Sequence, residues 1–283
     1  MKNLHSFSIW CVVVLFLLVG VIASIWDFQI SQFAFNPDSP WGIWIEKYGE
    51  IPGLVIAIWA LLLINVSLDI SFWIWRWLLH ILNWLLAELL LEYAIFRGIA
   101  SWLALEHIED LLLFAERWGL VVRWSAISTI LIAWLLLRAF APGYCIRQKR
   151  FSKIAIWQMA LSQLFIQVLK AVWGRVRFRE LSQPGAEFSP WYIPQGVVTS
   201  DSFPSGHAGL GWMLLPLFLL FTSFGRKVQM FVLSLSICWA ITVSSGRVVV
   251  GAHYSSDVWF GGLVTVMPFM LFYYIYTQDK MKN

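Results

Sequence analysis

The sequence predicts an all-α fold, a polytopic bundle of transmembrane helices, on three observations. Hydrophobic residues fill 60% of the 283 positions and charged residues only 13%, with a mean hydropathy of +0.73. A soluble domain this apolar would expose large sticky patches. The apolar residues recur in stretches long enough to cross a hydrocarbon core as helices. Nineteen tryptophans suit the aromatic belts of the two membrane interfaces as well as packing inside a bundle.

Taken in order, residues 9–28 form the first apolar stretch. Behind Met1-Lys2 it resembles a secretory leader, with Val21-Ile22-Ala23 near a cleavage position, but the number of later spans favours an uncleaved first helix. Residues 30–50 hold Asn36-Pro37-Asp38-Ser39-Pro40 and read as a turn-rich loop running into a Trp-bearing surface segment. A clear span follows at 51–69. The stretch 72–94 is apolar but carries Arg76, His80, Asn83, Glu88 and Glu92, so it suits either a bundle helix or an interfacial one. His80, Glu88 and Glu92 read as packing or interfacial groups rather than as a proton path. Residues 98–118 gather Glu106, Glu109, Asp110 and Arg117 toward one side and are expected to lie along the membrane surface; amphipathic periodicity also explains Glu106-His107-Ile108-Glu109-Asp110 better than a metal cluster does. Further spans fall at 119–140, 154–173, 208–224, 228–246 and 258–276.

Lysine and arginine set the orientation. The loop 141–153 carries Arg147, Lys149, Arg150 and Lys153 without an acid, the turn at 225–227 carries Arg226 and Lys227, and the tail carries Lys280 and Lys282. All three read as cytoplasmic, as do both termini. The number of crossings is then even, which favours eight with 72–94 spanning; six, with 72–118 not spanning, comes second. Arg175, Arg177 and Arg179 fall on the opposite face, against the rule. The chain divides into residues 1–150, N-terminal membrane and interfacial helices, and 151–283, the part that carries the chemistry, within one integrated membrane domain.

A net charge of +4, with the basic residues at loop ends rather than in a stripe, argues against a nucleic-acid partner. Cys11, Cys145 and Cys238 supply no disulfide framework and no metal cluster. No obligate protein partner is evident.

The chemistry sits in three short segments: Lys170-x6-Arg177, Pro204-Ser205-Gly206-His207, and Arg247-x5-His253-x3-Asp257. Alternating spans bring all three to one membrane face. Two arginines can each donate paired hydrogen bonds to a phosphate, and Lys170 adds a compact charge. Ser205 and Gly206 precede an apolar helix, whose N-terminus favours an anion. One histidine must be neutral to attack phosphorus and the other protonated to supply the leaving oxygen. Asp257, four residues after His253, can fix its tautomer, which makes His253 the better nucleophile and His207 the better acid. Such chemistry requires no metal and no cofactor. Arg175 and Arg179 read as an ordinary basic juxtamembrane patch.

These segments resemble the type 2 phosphatidic acid phosphatase superfamily, which also includes bacterial lipid phosphatases and vanadium haloperoxidases. Its motifs are Lys-x6-Arg-Pro, Pro-Ser-Gly-His and Ser-Arg-x5-His-x3-Asp; here Phe178 replaces the proline and Gly246 the serine. The resemblance covers residues 170–257 and the helices around them. It implies a six-helix phosphatase core, a phosphohistidine intermediate on His253, protonation of the leaving group by His207 and orientation by Asp257. It also implies phosphate binding by Lys170, Arg177, Ser205, Gly206, His207 and Arg247. The expected activity is removal of phosphate from a membrane lipid, a phospholipid or isoprenoid phosphate or diphosphate, at the periplasmic or extracellular face. A lipid phosphotransferase with the same site, and less so an anion transporter, are the alternatives.

Overall fold

The computed structural model describes residues 2–282 except 104, 106 and 197–199, with side chains described from 14 to 277 apart from these and 108. Every regular element among the described residues is helical. Seven helices are long and apolar enough to cross a membrane, or eight when one sharply bent pair counts as a span. The protein is thus a multi-pass helical membrane protein.

The bent pair comes first. Helix α1 (Lys2–Ile25) breaks at Trp26 and α2 (Asp27–Ala34) leaves it at 81°. The turn-rich stretch then leads into α3 (Pro40–Tyr48). Ser39 caps this helix by accepting from the Gly42 N–H (3.4 Å), and Pro40 occupies its first position, where a missing N–H is harmless. Helix α3 is a surface segment on one side only, with Trp41 and Trp44 exposed as the sequence suggested. It packs against α10 (Arg226–Val249) with Gly42 and Ile45 buried, and runs on into α4 (Ile51–Ser67) as one 28-residue span. Proline and tryptophan gave it the signature of a surface turn, whereas its inner face is small and apolar.

Helix α4 is apolar all round, the mark of a central helix. It packs against α5 (Trp73–Trp102), α6 (Ile108–Phe140), α8 (Lys149–Trp173) and α9 (Gly206–Trp212). Its Leu61 and Leu63 meet Ile130, Phe151 and Ile154 in the main core. Gly53 allows its closest approach: a Cβ there would lie 2.2 Å from the Leu210 carbonyl oxygen of α9.

The expected surface segment 98–118 is not a separate element. Its first residues complete α5, a 30-residue helix that takes up the stretch 72–94 from Trp73 onward, and its last ones open α6. The two helices form an antiparallel hairpin, joined by Arg123–Glu92 (3.2 Å) and by the Phe96–Phe114 and Trp84–Trp134 ring contacts. Both are long and apolar enough to span. Of the polar residues that imitated an amphipathic surface helix, Glu109, Asp110 and Arg117 all stand at the start of α6, and Glu106 lies outside the described residues. Of the polar groups in 72–94, His80 bonds to Asn65 (2.9 Å), Glu88 is buried and Glu92 holds Arg123.

The remainder folds as α7 (Pro142–Arg147), α8, a 3-10 turn (Phe178–Glu180), α9 continued by a 3-10 segment (Leu215–Phe224), α10 and α11 (Ser255–Lys282). Helix α11 packs along α8 and α9, and α1 packs on α11. The C-terminal end of α8, the N-terminal ends of α9 and α11 and the C-terminal end of α10 meet at one end of the bundle, where α2 and α3 join them.

Candidate active site

Two glycines with left-handed backbone shape the loops of this end. Helix α8 stops at Gly174 (φ 59°), which turns the chain sharply before Arg175. Helix α10 ends in a Schellman motif. Gly251 (φ 68°) donates to the Val248 carbonyl (3.0 Å) and Ala252 to the Arg247 carbonyl (3.1 Å). That closure gives the five-residue spacing its meaning, because the His253 N–H also returns to the Arg247 carbonyl (3.2 Å). The histidine is held beside the arginine by helix-capping geometry.

His253 is 3% exposed, and its Nδ1 lies 2.6 Å from the Ser202 carbonyl oxygen. A carbonyl only accepts, so Nδ1 carries the proton and Nε2 keeps its lone pair. Burial, reinforced by the charges of Arg247, Lys170 and Arg177, holds the imidazole pKa well below its ordinary value. The ring is therefore neutral and its Nε2 nucleophilic.

Asp257 does not make that hydrogen bond. Its nearer oxygen is 3.9 Å from His253 Nδ1, and it accepts instead from Ser202 Oγ (2.6 Å), the Tyr254 N–H (2.9 Å) and Arg175 Nη1 (2.5 Å). It thus holds the segment whose carbonyl orients the imidazole, so its action on His253 passes through Ser202.

Arg175, read from sequence as part of a basic patch, is buried to 1% exposure. It joins Asp257 to Asp27 of α2 (Nη2–Oδ2 2.6 Å), donates to Ser256 Oγ and the Ser189 carbonyl (both 2.9 Å), and lies over the Tyr254 ring at 4.0 Å. Asp27 also accepts from the Ser256 N–H (2.8 Å) and Ser255 Oγ (2.9 Å). The signal for this network was present: an acid at the end of an apolar stretch, and three arginines that run against the lysine and arginine bias of the other loops.

The cations each meet a carboxylate. Lys170 Nζ contacts Asp201 Oδ2 (3.0 Å), and Arg177 pairs with the other oxygen of the same carboxylate. Burial pushes the Asp201 carboxyl up, but Lys170 and Arg177 outweigh it and hold it below the usual carboxylate range. Arg247 Nη1 lies 3.0 Å from Glu46 Oε1 of α3, which also takes Arg179 (3.1 Å). Three buried nitrogens of these two guanidinium groups nevertheless make no hydrogen bond among the described residues: Arg177 Nε, and Arg247 Nε and Nη1, the last close to Glu46 but without hydrogen-bond alignment. Buried donors of this kind are rare in folded proteins and suit an oxyanion.

Ser205 caps α9 by accepting from the Ala208 N–H (3.3 Å), while its own N–H donates to the Asp257 carbonyl (3.0 Å). Gly206 faces the Lys170 side chain. His207 directs Nε2 to the Glu46 carbonyl (3.1 Å) and lies 3.5 Å from the buried Glu50 carboxylate. Glu46 and Glu50 went unread in the sequence because their partners, Arg179 and Arg247 for Glu46 and Arg97 and His207 for Glu50, stand on other helices and loops far along the chain.

Together these features define a polytopic helical membrane protein with a cluster of histidines and cations at one end of the bundle. Residues 152–281, somewhat under half of the chain, match the family described as the PAP2 superfamily. PAP2 superfamily members are phosphoesterases or phosphatases. Comparison with curated proteins and with solved structures gave no match.

Both departures from the motifs face the N-terminal half, outside the matched region. Phe178 packs its ring on Phe28, Phe35 and Tyr254, at centroid distances of 5.7, 5.1 and 5.9 Å. Gly246 lies against Ile45, whose Cγ2 and Cβ would be only 2.7 and 2.8 Å from an added Cβ. Glycine there lets α3 approach α10 and bring Glu46 to Arg247. Gly246→Ser, which restores the usual motif residue, is accordingly expected to destabilise the protein by about 1–3 kcal/mol. Ile45→Ala in the same chain should recover much of the loss, as read by thermal unfolding in detergent.

Proposed function

We propose that this protein is an integral membrane lipid phosphatase, hydrolysing a phosphomonoester or diphosphate of a phospholipid or isoprenoid lipid through a phosphohistidine on His253. The observation that carries this reading is the pairing of His253, whose Nδ1 proton is held by the Ser202 carbonyl, with the buried Nε groups of Arg177 and Arg247, which find no hydrogen-bond acceptor among the described residues. A site at the ends of membrane-crossing helices suits a substrate held in the bilayer with its head group at the cations. Basic-residue bias supports an active site on the non-cytoplasmic face.

In this mechanism His253 Nε2 attacks phosphorus and the bond to the lipid oxygen breaks. His207 gives that oxygen its proton. Lys170, Arg177 and Arg247 neutralise the three non-bridging oxygens. Water, deprotonated by His207, then attacks the phosphohistidine and releases inorganic phosphate, returning both histidines to their starting states. Asp201 and Glu46 must yield their cations to the incoming phosphate. Asp257 and Arg175 position His253 through Ser202 and Tyr254. Every step is supplied by protein side chains, and none requires a metal.

The test is trapping of the intermediate. Detergent-purified protein is given radiolabelled phosphatidate, phosphatidylglycerol phosphate, undecaprenyl diphosphate and lipid A without added metal. The reading expects phosphate release and an acid-labile, alkali-stable phosphoenzyme that His253→Asn does not form. A labelled second lipid in place of free phosphate would move the assignment to a phosphotransferase. No transfer from any lipid would overturn it.

A pH dependence follows from the same geometry. Because burial and the neighbouring cations lower the His253 pKa, the imidazole stays neutral at pH values where an ordinary histidine is half protonated. The acid limb of kcat/KM, which reports the free enzyme, is expected below pH of about 6.5. A pH series with a soluble phosphomonoester checks it.

A further inference from the structure

At the end of the bundle away from His253 lies a cavity of about 840 Å³, between the far end of α4, the first turns of α5 and the last turns of α6. Helix α4 starts beside the site residue Glu50, and its 17 residues run about 25 Å to Ser67. The cavity and the active site therefore occupy opposite membrane faces. Its size suits a lipid head group.

The lining combines Arg76, Arg138 and His80 with Trp77, Trp84 and Trp134, and contains no carboxylate. Arg76 is held in plane, since Nε and Nη2 both donate to the Ile70 carbonyl (2.8 and 2.6 Å). Arg138 lies over the Trp134 ring, 5.1 Å from its centroid. Buried Asn65 ties the three helices around them: its Oδ1 accepts from Trp134 Nε1 (3.0 Å) and His80 Nδ1 (2.9 Å), and its Nδ2 donates to the His80 carbonyl (2.9 Å). The cavity is thus preformed, with two guanidinium groups at its polar end. Arg76 stands in the first turn of α5, where the helix dipole disfavours a cation unless an anion is close.

We propose that this cavity binds the phosphate-bearing head group of an anionic membrane lipid, with Arg76 and Arg138 taking the phosphate. The occupant is a lipid rather than free phosphate because an apolar track leaves the cavity: Trp77, Ile81 and Leu85 form an exposed i, i+4, i+8 stripe down α5 suited to an acyl chain. The face also carries the basic loop with Arg147, Lys149, Arg150 and Lys153, and basic pockets between membrane helices recognise anionic head groups.

The experiment is native mass spectrometry of the full-length protein with phosphatidylglycerol and with phosphatidylcholine of matched chains. Wild type is expected to prefer phosphatidylglycerol. Arg76→Ala/Arg138→Ala should weaken that binding about 30-fold, from the two surface charges removed, while Arg226→Ala/Lys227→Ala, a basic pair that does not line the cavity, keeps it. Should the alanine pair not remain monodisperse, Arg76→Gln/Arg138→Gln carries the same comparison. Equal binding of the two lipids by wild type, or unchanged binding in the Arg76/Arg138 variant, overturns the proposal. Displacement of phosphatidylglycerol by equimolar inorganic phosphate overturns it too, by marking a site for the free anion. None of these outcomes depends on the activity assigned to His253.

Discussion

His253→Ala is expected to lower phosphate release from a lipid substrate by roughly four orders of magnitude or more, since in the proposed mechanism it removes the attacking atom itself. The variant should still bind phosphate, because Lys170, Arg177 and Arg247 are untouched. His207→Ala is expected to cost less, roughly 10²- to 10⁴-fold, the range for a general acid. The two can be told apart by leaving group. With p-nitrophenyl phosphate the departing oxygen needs no proton, so His207→Ala should recover much of its phosphoenzyme formation. His253→Ala should recover none. Rapid-quench measurement of nitrophenol release checks both, and equal behaviour of the two variants would refute the assignment of roles.

The second large effect concerns stability. Arg175→Ala leaves the Asp27 and Asp257 carboxylates facing each other in a buried site without their shared cation. Removing one member of such a network is expected to destabilise the protein by about 3–5 kcal/mol. Asp27→Asn should cost less, since Arg175 keeps Asp257. Combining Asp27→Asn with Arg175→Ala should be less harmful than the sum of the two, because the second change relieves part of the charge exposed by the first. Thermal unfolding in detergent measures these terms. Arg175→Lys is the informative companion, because it keeps the charge but loses the fork that reaches both acids. It should retain more stability than Arg175→Ala while remaining impaired in kcat, as Ser202 and His253 lose their fixed register.

Much of the site was legible from local pattern. Lys170, Arg177, Ser205, Gly206, His207, Arg247, His253 and Asp257 stood in recognisable spacings, and apolar lengths located the membrane-crossing helices. The misreadings share a cause. Segment 98–118 looked amphipathic because its polar residues follow a helical period, yet the chain turns within it, and periodicity does not report a break between two helices that pack on each other. Segment 30–50 showed its exposed side, through proline and tryptophan, but not the packed face of α3, whose burial of Ile45 depends on Gly246, two hundred residues away.

By itself, the sequence determined the class of fold, through hydropathy and length, and the residue types that carry the chemistry, through short spacings within single helix ends. Only the tertiary structure decided which partners those residues have: that Nδ1 of His253 meets the Ser202 carbonyl rather than Asp257, that Arg175 is buried between two acids, and that α2 and α3 bring Asp27, Glu46 and Glu50 to the site. The physical reason is range. Hydropathy and helical period are properties of neighbouring residues, whereas a buried ion pair is chosen by which distant helices pack together and exclude water around it.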